Sequence, residues 1–194
     1  MAAKSAGAIG RWGAAAVNRV RGEVYNGFKL IELLRSHVPL DFDPDDFLIA
    51  GSARLWAGGI TSRLSDLDLV ARPGSDTWRR AQELAFTHAL VFDADPLRLS
   101  DYTGDKIARL YSGVIEVSEH WILPGSDTEM LLERAEVIDG LKYLPLTEVI
   151  AYKHMLSRPK DLSDLQAIDA HLDRAGPRPH LLPKICDAVI QQHN

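Results

Sequence analysis

Cysteine is nearly absent from this chain: Cys186 stands alone. That excludes a disulfide framework and any cysteine-based zinc site, and it fits a reducing cytosol. No apolar run approaches the roughly 18 residues that a membrane-spanning helix requires, so no membrane partner is expected. Arg11 interrupts the alanine-rich start, so a secretory leader is not expected either. Basic excess is also missing. Lys and Arg number 22 against 27 Asp and Glu, a net charge of −5 that argues against a broad basic surface for nucleic acid. The seven histidines, from His37 to His193, show no metal-ligand spacing. Neither a lysine-bearing P-loop nor a Gly-x-Ser-x-Gly elbow occurs, which leaves P-loop and serine-hydrolase chemistries unsupported.

What remains is an ordinary globular composition, 46% hydrophobic and 25% charged over 194 residues. The spacing of Val17, Val20, Val24, Phe28, Ile31 and Leu34 predicts a helix over about 14–37. Pro39 and the acidic stretch to Asp46 then form a linker. Phe47 to Ala50 reads as a short buried strand, Ala53 to Ala57 as a short helix broken by Gly58-Gly59, and Asp66 to Ala71 as a second strand. A helix is expected at about 77–88, a strand at 89–92, a loop at 93–105, and a further central strand at 113–119. A strand pair is expected around 133–143, followed by helices at about 146–157, 160–173 and 181–192. The outline is α/β: an N-terminal helical segment (1–40), an α/β core (41–145) and a helical C-terminal part (146–194).

Between Ala50 and Leu69 the chemistry concentrates. Gly51-Ser52 sits at a strand-to-helix turn, where a glycine lets the backbone approach a ligand and free N–H groups attract phosphate. Read alone, it is an ordinary turn with Ser52 as an N-cap. Asp66 and Asp68, two residues apart on a strand, point to one face while Leu67 and Leu69 point to the other. Aspartate is disfavoured in strands, so two on successive same-face positions beside a Gly-Ser turn stand out. A divalent cation between them relieves their repulsion, and Mg²⁺ is commonly held by one or two carboxylates plus substrate phosphates. Glu116, on the strand at 113–119, is a candidate third acid for such a cluster, or else a surface glutamate on a half-exposed strand.

Two charges also break apolar stripes near the C-terminal end. Lys153 lies within the stripe Leu146, Val149, Ile150 and Leu156, and Asp161 lies on the side of Leu162, Leu165, Ile168 and Leu172. An inward lysine must snorkel outward or meet an anion. That anion is either a bound polyphosphate or Asp161 itself, in a structural salt bridge. Asp161 also suits a helix first turn through the helix dipole.

Gly51-Ser52, Asp66-Leu67-Asp68, Lys153 and the run Arg158-Pro-Lys-Asp161-Leu-Ser-Asp164-Leu-Gln166 together resemble the polymerase-β-like nucleotidyltransferases. The chain looks closest to the AbiEii/AbiGii-type toxin branch, which includes the mycobacterial MenT toxins. The similarity covers roughly residues 47–170. It implies a small mixed sheet flanked by helices, an NTP-binding cleft, Mg²⁺ (with Mn²⁺ as a substitute) at Asp66 and Asp68, and Ser52 and Lys153 on phosphates. It implies Asp161, or Asp164 in its place, as the base that activates the attacking hydroxyl. It also implies a cytoplasmic toxin that modifies the tRNA 3′ end and is neutralised by an antitoxin protein. Two other readings stand beside it: a small-molecule nucleotidyltransferase acting on an antibiotic-type hydroxyl, and a non-catalytic protein of the same fold that binds nucleotide or a partner.

Overall fold

A computed structural model describes residues 27–174. The sequence predicts six strands, and seven form, in one mixed sheet flanked by helices. The elements in chain order are α1 (Gly27–Arg35), β1 (Phe47–Ala50), α2 (Ser52–Ala57), β2 (Leu67–Ala71), α3 (Asp76–Phe92), β3 (Leu97–Leu99), β4 (Lys106–Leu110), β5 (Ile115–Ser118), α4 (Thr128–Glu133), β6 (Glu136–Ile138), β7 (Leu141–Tyr143), α5 (Leu146–Leu156) and α6 (Pro159–Arg174). The sheet order is β3-β4-β5-β2-β1-β7-β6. β2 and β5 are parallel, as are β1 and β7, and the other neighbours run antiparallel.

Strand alternation divides the core between the two faces. Phe47, Ile49, Leu67, Leu69, Ile115 and Val117 point to one side, where they meet α1 through Leu30 and Leu34 and α3 through Trp78, Ala81 and Ala85. Leu48, Ala50 and Val70 point to the other, against Leu131 and Leu132 of α4, Val149 and Tyr152 of α5 and Ile168 of α6. Asp68 shares the parity of Val70, so it belongs to the face that carries α5 and α6. The C-terminal helices thereby cover the sheet on the side that bears the acids.

Several expectations are corrected. α3 runs through Phe92, so residues 89–92 are helix and not strand. Ala81, Leu84, Ala85, His88 and Phe92 are its buried stripe at three- and four-residue spacing, whereas Leu90 is 89% exposed. The expected loop at 93–105 contains the edge strand β3, whose three residues are too few to show alternation. β4 and α4 had no sequence assignment. Phe28, placed in the apolar stripe of the first helix, is exposed and meets the Trp56 ring edge-on at 5.1 Å. Leu162 is also exposed, so the inward line of α6 runs through Asp161, Leu165, Ile168 and Leu172. Residues 14–26 of the expected first helix and the expected helix at 181–192 lie outside the described residues.

Candidate functional site

β1 ends at Ala50, and the turn into α2 is made by Gly51 at φ 65°, ψ −149°. This backbone region is essentially closed to residues with a Cβ. A Cβ on Gly51 would also stand 2.5 Å from Oδ2 of Asp68, so that carboxylate would have to shift aside. The close approach follows from register, because Ala50 pairs with Asp68 across the β1–β2 ladder. The backbone conformation favours glycine at position 51, and the missing Cβ leaves the Asp68 carboxylate its place.

The same row continues across the sheet. Asp68 pairs with Glu116 of β5, and Glu116 pairs with Arg109 of β4. Residues directly opposite in a ladder share a face, so the two acids stand side by side. Asp66, one residue before β2, is exposed, as is Asp68, with buried Leu67 between them. The expected shared face of Asp66 and Asp68 is thus what the alternation of exposure displays. These three acids form part of the lining of a cleft of about 250 Å³.

The three acids are not equivalent. Glu116 accepts hydrogen bonds from Arg98 Nε at 3.0 and 3.2 Å and from Nη2 at 2.6 Å, and Arg109 Nε lies 3.3 Å away. It is committed to two guanidinium groups and does not join Asp66 and Asp68 as a free ligand. Among the described residues no three His, Cys, Asp or Glu side chains gather as a ready metal site. Asp68 has no such partner among the described residues. Solvent reaches it through the cleft, yet the walls crowd its carboxylate. Desolvation, joined by the like charges of Asp66 and Glu116, pushes its pKa up to about 6, against the opposing influence of Lys160 and Arg98.

Lys153 and Asp161 meet each other. Both have no exposed surface. The Lys153 ammonium donates to Asp164 Oδ2 at 2.6 Å, Ser52 Oγ at 3.3 Å and Asp161 Oδ1 at 3.5 Å. Burial opposes its charge, but Tyr152 and Asp164 outweigh burial and its pKa is raised. The Tyr152 ring centroid lies 4.9 Å from Nζ. Burial likewise works against ionised Asp161, and Arg158 with Lys153 overcomes it, holding its carboxyl below the usual range. Arg158 Nε donates to Asp161 Oδ2 at 2.6 Å and Nη2 to Oδ1 at 3.2 Å. Ser52 Oγ also lies 3.4 Å from Asp164 Oδ2. The network pins the α5–α6 junction to the start of α2. Ser52 lines the cleft; Lys153, Asp161 and Asp164 do not.

The cations that do line the cleft are Arg98, Arg158 and Lys160, together with the ring of Tyr102. None of them had been singled out. Arg98 fell in a segment read as loop. Arg158 and Lys160 flank Pro159 at a helix break and interrupt no apolar stripe, so periodicity carries no signal for them. No protein-family model matches the chain, and neither a curated protein nor a solved structure matches it.

Proposed function

We propose that this chain is a divalent-cation-dependent nucleotidyltransferase that moves an NMP from an NTP to a hydroxyl acceptor. The observation that carries the reading is the Asp66–Asp68 pair. Its carboxylates share a cleft with the cations Arg98, Arg158 and Lys160, and the Asp68 carboxylate lies against the Gly51 turn, where a Cβ would displace it. Hard carboxylate oxygens without a cationic partner of their own suit Mg²⁺, which completes its shell with water and phosphate oxygens. Desolvation first, and then the like charges of Asp66 and Glu116, raise the pKa of Asp68, and a bound cation would offset both. Bound there, the ion would neutralise charge on the polyphosphate; Asp66 and Asp68 would hold it.

In the transfer, the acceptor hydroxyl oxygen bonds to the α-phosphorus as its proton passes to solvent, and the bond from that phosphorus to the oxygen bridging to the β-phosphate breaks, releasing pyrophosphate. The chain's part is positioning and charge stabilisation. Gly51 leaves room for the Asp68 carboxylate, while the Ser52 hydroxyl at the cleft edge donates to Asp164 and accepts from Lys153. Asp161 and Asp164, the expected bases, serve as counter-charges to Lys153 and Arg158, since neither lines the cleft.

The acceptor we favour is the tRNA 3′ end, with a cognate antitoxin as protein partner; both rest on the resemblance to AbiEii-type toxins. The net charge of −5 favours a second reading, transfer to a small antibiotic-type hydroxyl. Purified protein incubated with α-labelled NTPs, Mg²⁺ and total RNA tests the first, and the same mixture with aminoglycosides, read by mass spectrometry for an added nucleotide, tests the second. Labelled product that is lost in Asp68→Ala is expected. No product from wild type with any acceptor, or equal product from Asp68→Ala, refutes nucleotidyl transfer.

A further inference from the structure

We infer that the polyphosphate of the bound substrate is gripped by Arg98, Arg158 and Lys160, two of them aimed by their own carboxylates, and that Lys153 takes no part. The identity of the ligand rests on the nucleotidyltransferase reading; the assignment of the cations rests on geometry.

An ammonium group has three donors and no more. Those of Lys153 have three oxygen partners, Ser52 Oγ, Asp161 Oδ1 and Asp164 Oδ2, and the side chain has no exposed surface. No donor is left for a phosphate. Arg98 and Arg158 differ in each respect. Both side chains are 40% exposed, and both line the cleft. Each directs Nε and Nη2 to a carboxylate, Glu116 for Arg98 and Asp161 for Arg158. A guanidinium has five donors; Arg98 Nη1 also gives one to Leu99 O at 3.3 Å, yet in each arginine donors remain beyond the fork, and a side chain already held loses little further freedom on meeting an anion.

Charge on the cleft wall is mixed, since Asp101 lines it too and acts on Arg98. Arg98 and Arg109 share Glu116, so that group keeps one positive charge in excess. Lys160, exposed on the first turn of α6, adds another. Arg98 projects from β3 and Arg158 precedes α6, so the two guanidinium groups enter the cleft from different walls, with Asp68 within electrostatic reach of Arg98 and Lys160. A cleft of about 250 Å³ is below the usual size of a pocket that encloses a whole drug-sized ligand, and it suits a polyphosphate whose nucleoside end projects outward. Such an anion needs a divalent cation over Asp66 and Asp68 before it enters.

The test is calorimetric titration of the full chain with inorganic tripolyphosphate in Mg²⁺ at fixed ionic strength. Wild type should bind. Arg98→Gln and Arg158→Gln should each weaken binding at least about tenfold, the scale of one charge-assisted hydrogen bond, with an unchanged far-UV spectrum. Lysine at either position should restore part of the loss, since charge returns without the fork. Lys153→Met, measured at a temperature where its spectrum is native, should bind within about threefold of wild type. Unchanged affinity in both arginine variants, no binding by wild type, or abolished binding in folded Lys153→Met overturns the inference. Nucleotide transfer with wild-type KM in both arginine variants likewise overturns it while the transferase reading stands. Arginine-dependent binding without any transfer supports these cations and refutes the transferase reading.

Discussion

Lys153→Met should destabilise the free protein substantially, with no ligand present. Methionine retains the buried stem of the lysine and removes only the ammonium group. Three contacts go with it: 2.6 Å to Asp164, 3.3 Å to Ser52 and 3.5 Å to Asp161. Removing one member of a buried ion pair typically costs about 3–5 kcal/mol, because the remaining charge is stranded. Here the stranding is partial. Asp161 keeps the Arg158 fork, and Asp164, with a side chain 21% exposed, keeps contact with water. The expected loss is therefore about 2–3 kcal/mol, below the range for a fully stranded charge. For a domain of this size that corresponds to a fall in Tm of about 5–10 °C. Urea unfolding followed by tryptophan fluorescence at pH 7.5, without nucleotide or Mg²⁺, measures it. A variant within about 0.5 kcal/mol of wild type, the range of an ordinary surface substitution, refutes the view that this lysine is held by its aspartates.

Gly51→Ala should cost about 1–3 kcal/mol from the strained backbone. It should also lower transfer activity by about 100-fold, because its Cβ displaces the Asp68 carboxylate; normal activity in a folded Gly51→Ala protein refutes the packing argument. Asp68 holds its proton more tightly folded, at about 6, than unfolded, at 3.8, so wild-type stability should fall as pH rises from about 4 through 6. Asp68→Asn should remove that fall and be the more stable protein at pH 7.5, and Mg²⁺ should raise the Tm of wild type but not of Asp68→Asn. Equal pH profiles, or equal Mg²⁺ shifts, count against an uncompensated carboxylate there. Burial, with His37 nearby, depresses His88 to about 4 from 6.5, so its neutral form contributes stability above pH 6.5 that is lost as pH falls toward 4. His88→Phe should flatten this acid limb at a cost of about 1 kcal/mol at pH 7.5, from the lost acceptor of the Tyr111 N–H. An acid limb unchanged by the substitution refutes the assignment.

How far the site was legible depended on whether its cause was local. The Gly51-Ser52 turn and the common face of Asp66 and Asp68 follow from period-two alternation and a glycine between a strand and a helix, both visible over a few residues. Lys153 and Asp161 were visible as charges within apolar stripes, and of the two partners open to that lysine the structure displays the aspartate. Which of its two readings fits Glu116 is not legible locally, because its ion pairs with Arg98 and Arg109 depend on the β3–β4–β5 register. β3 is an exposed three-residue edge strand with no period of its own. The α3 extension was missed for a related reason: Ala-Leu-Val-Phe at 89–92 has strand-like composition, and its packing on β4 decides for helix.

The row Ala50, Asp68, Glu116, Arg109 explains why the acids differ although the sheet places them side by side. Two carboxylates opposite each other in a ladder repel, and a fold selected only for stability would neutralise both. This one neutralises Glu116 twice over, with Arg98 and Arg109, and leaves Asp68 with Asp66 and no hydrogen-bonded cation. Of the two arginines that quiet Glu116, Arg98 remains on the cleft wall, so the arrangement keeps positive charge at the site without pairing it to Asp68. A negative floor beneath a positive rim is poorly suited to a bare anion and poorly suited to a bare cation. It is suited to both together, and a metal–polyphosphate complex is the ligand class that presents its cation to the floor and its oxygens to the rim. Keeping an uncompensated pair of carboxylates costs stability, and such costs concentrate at functional sites.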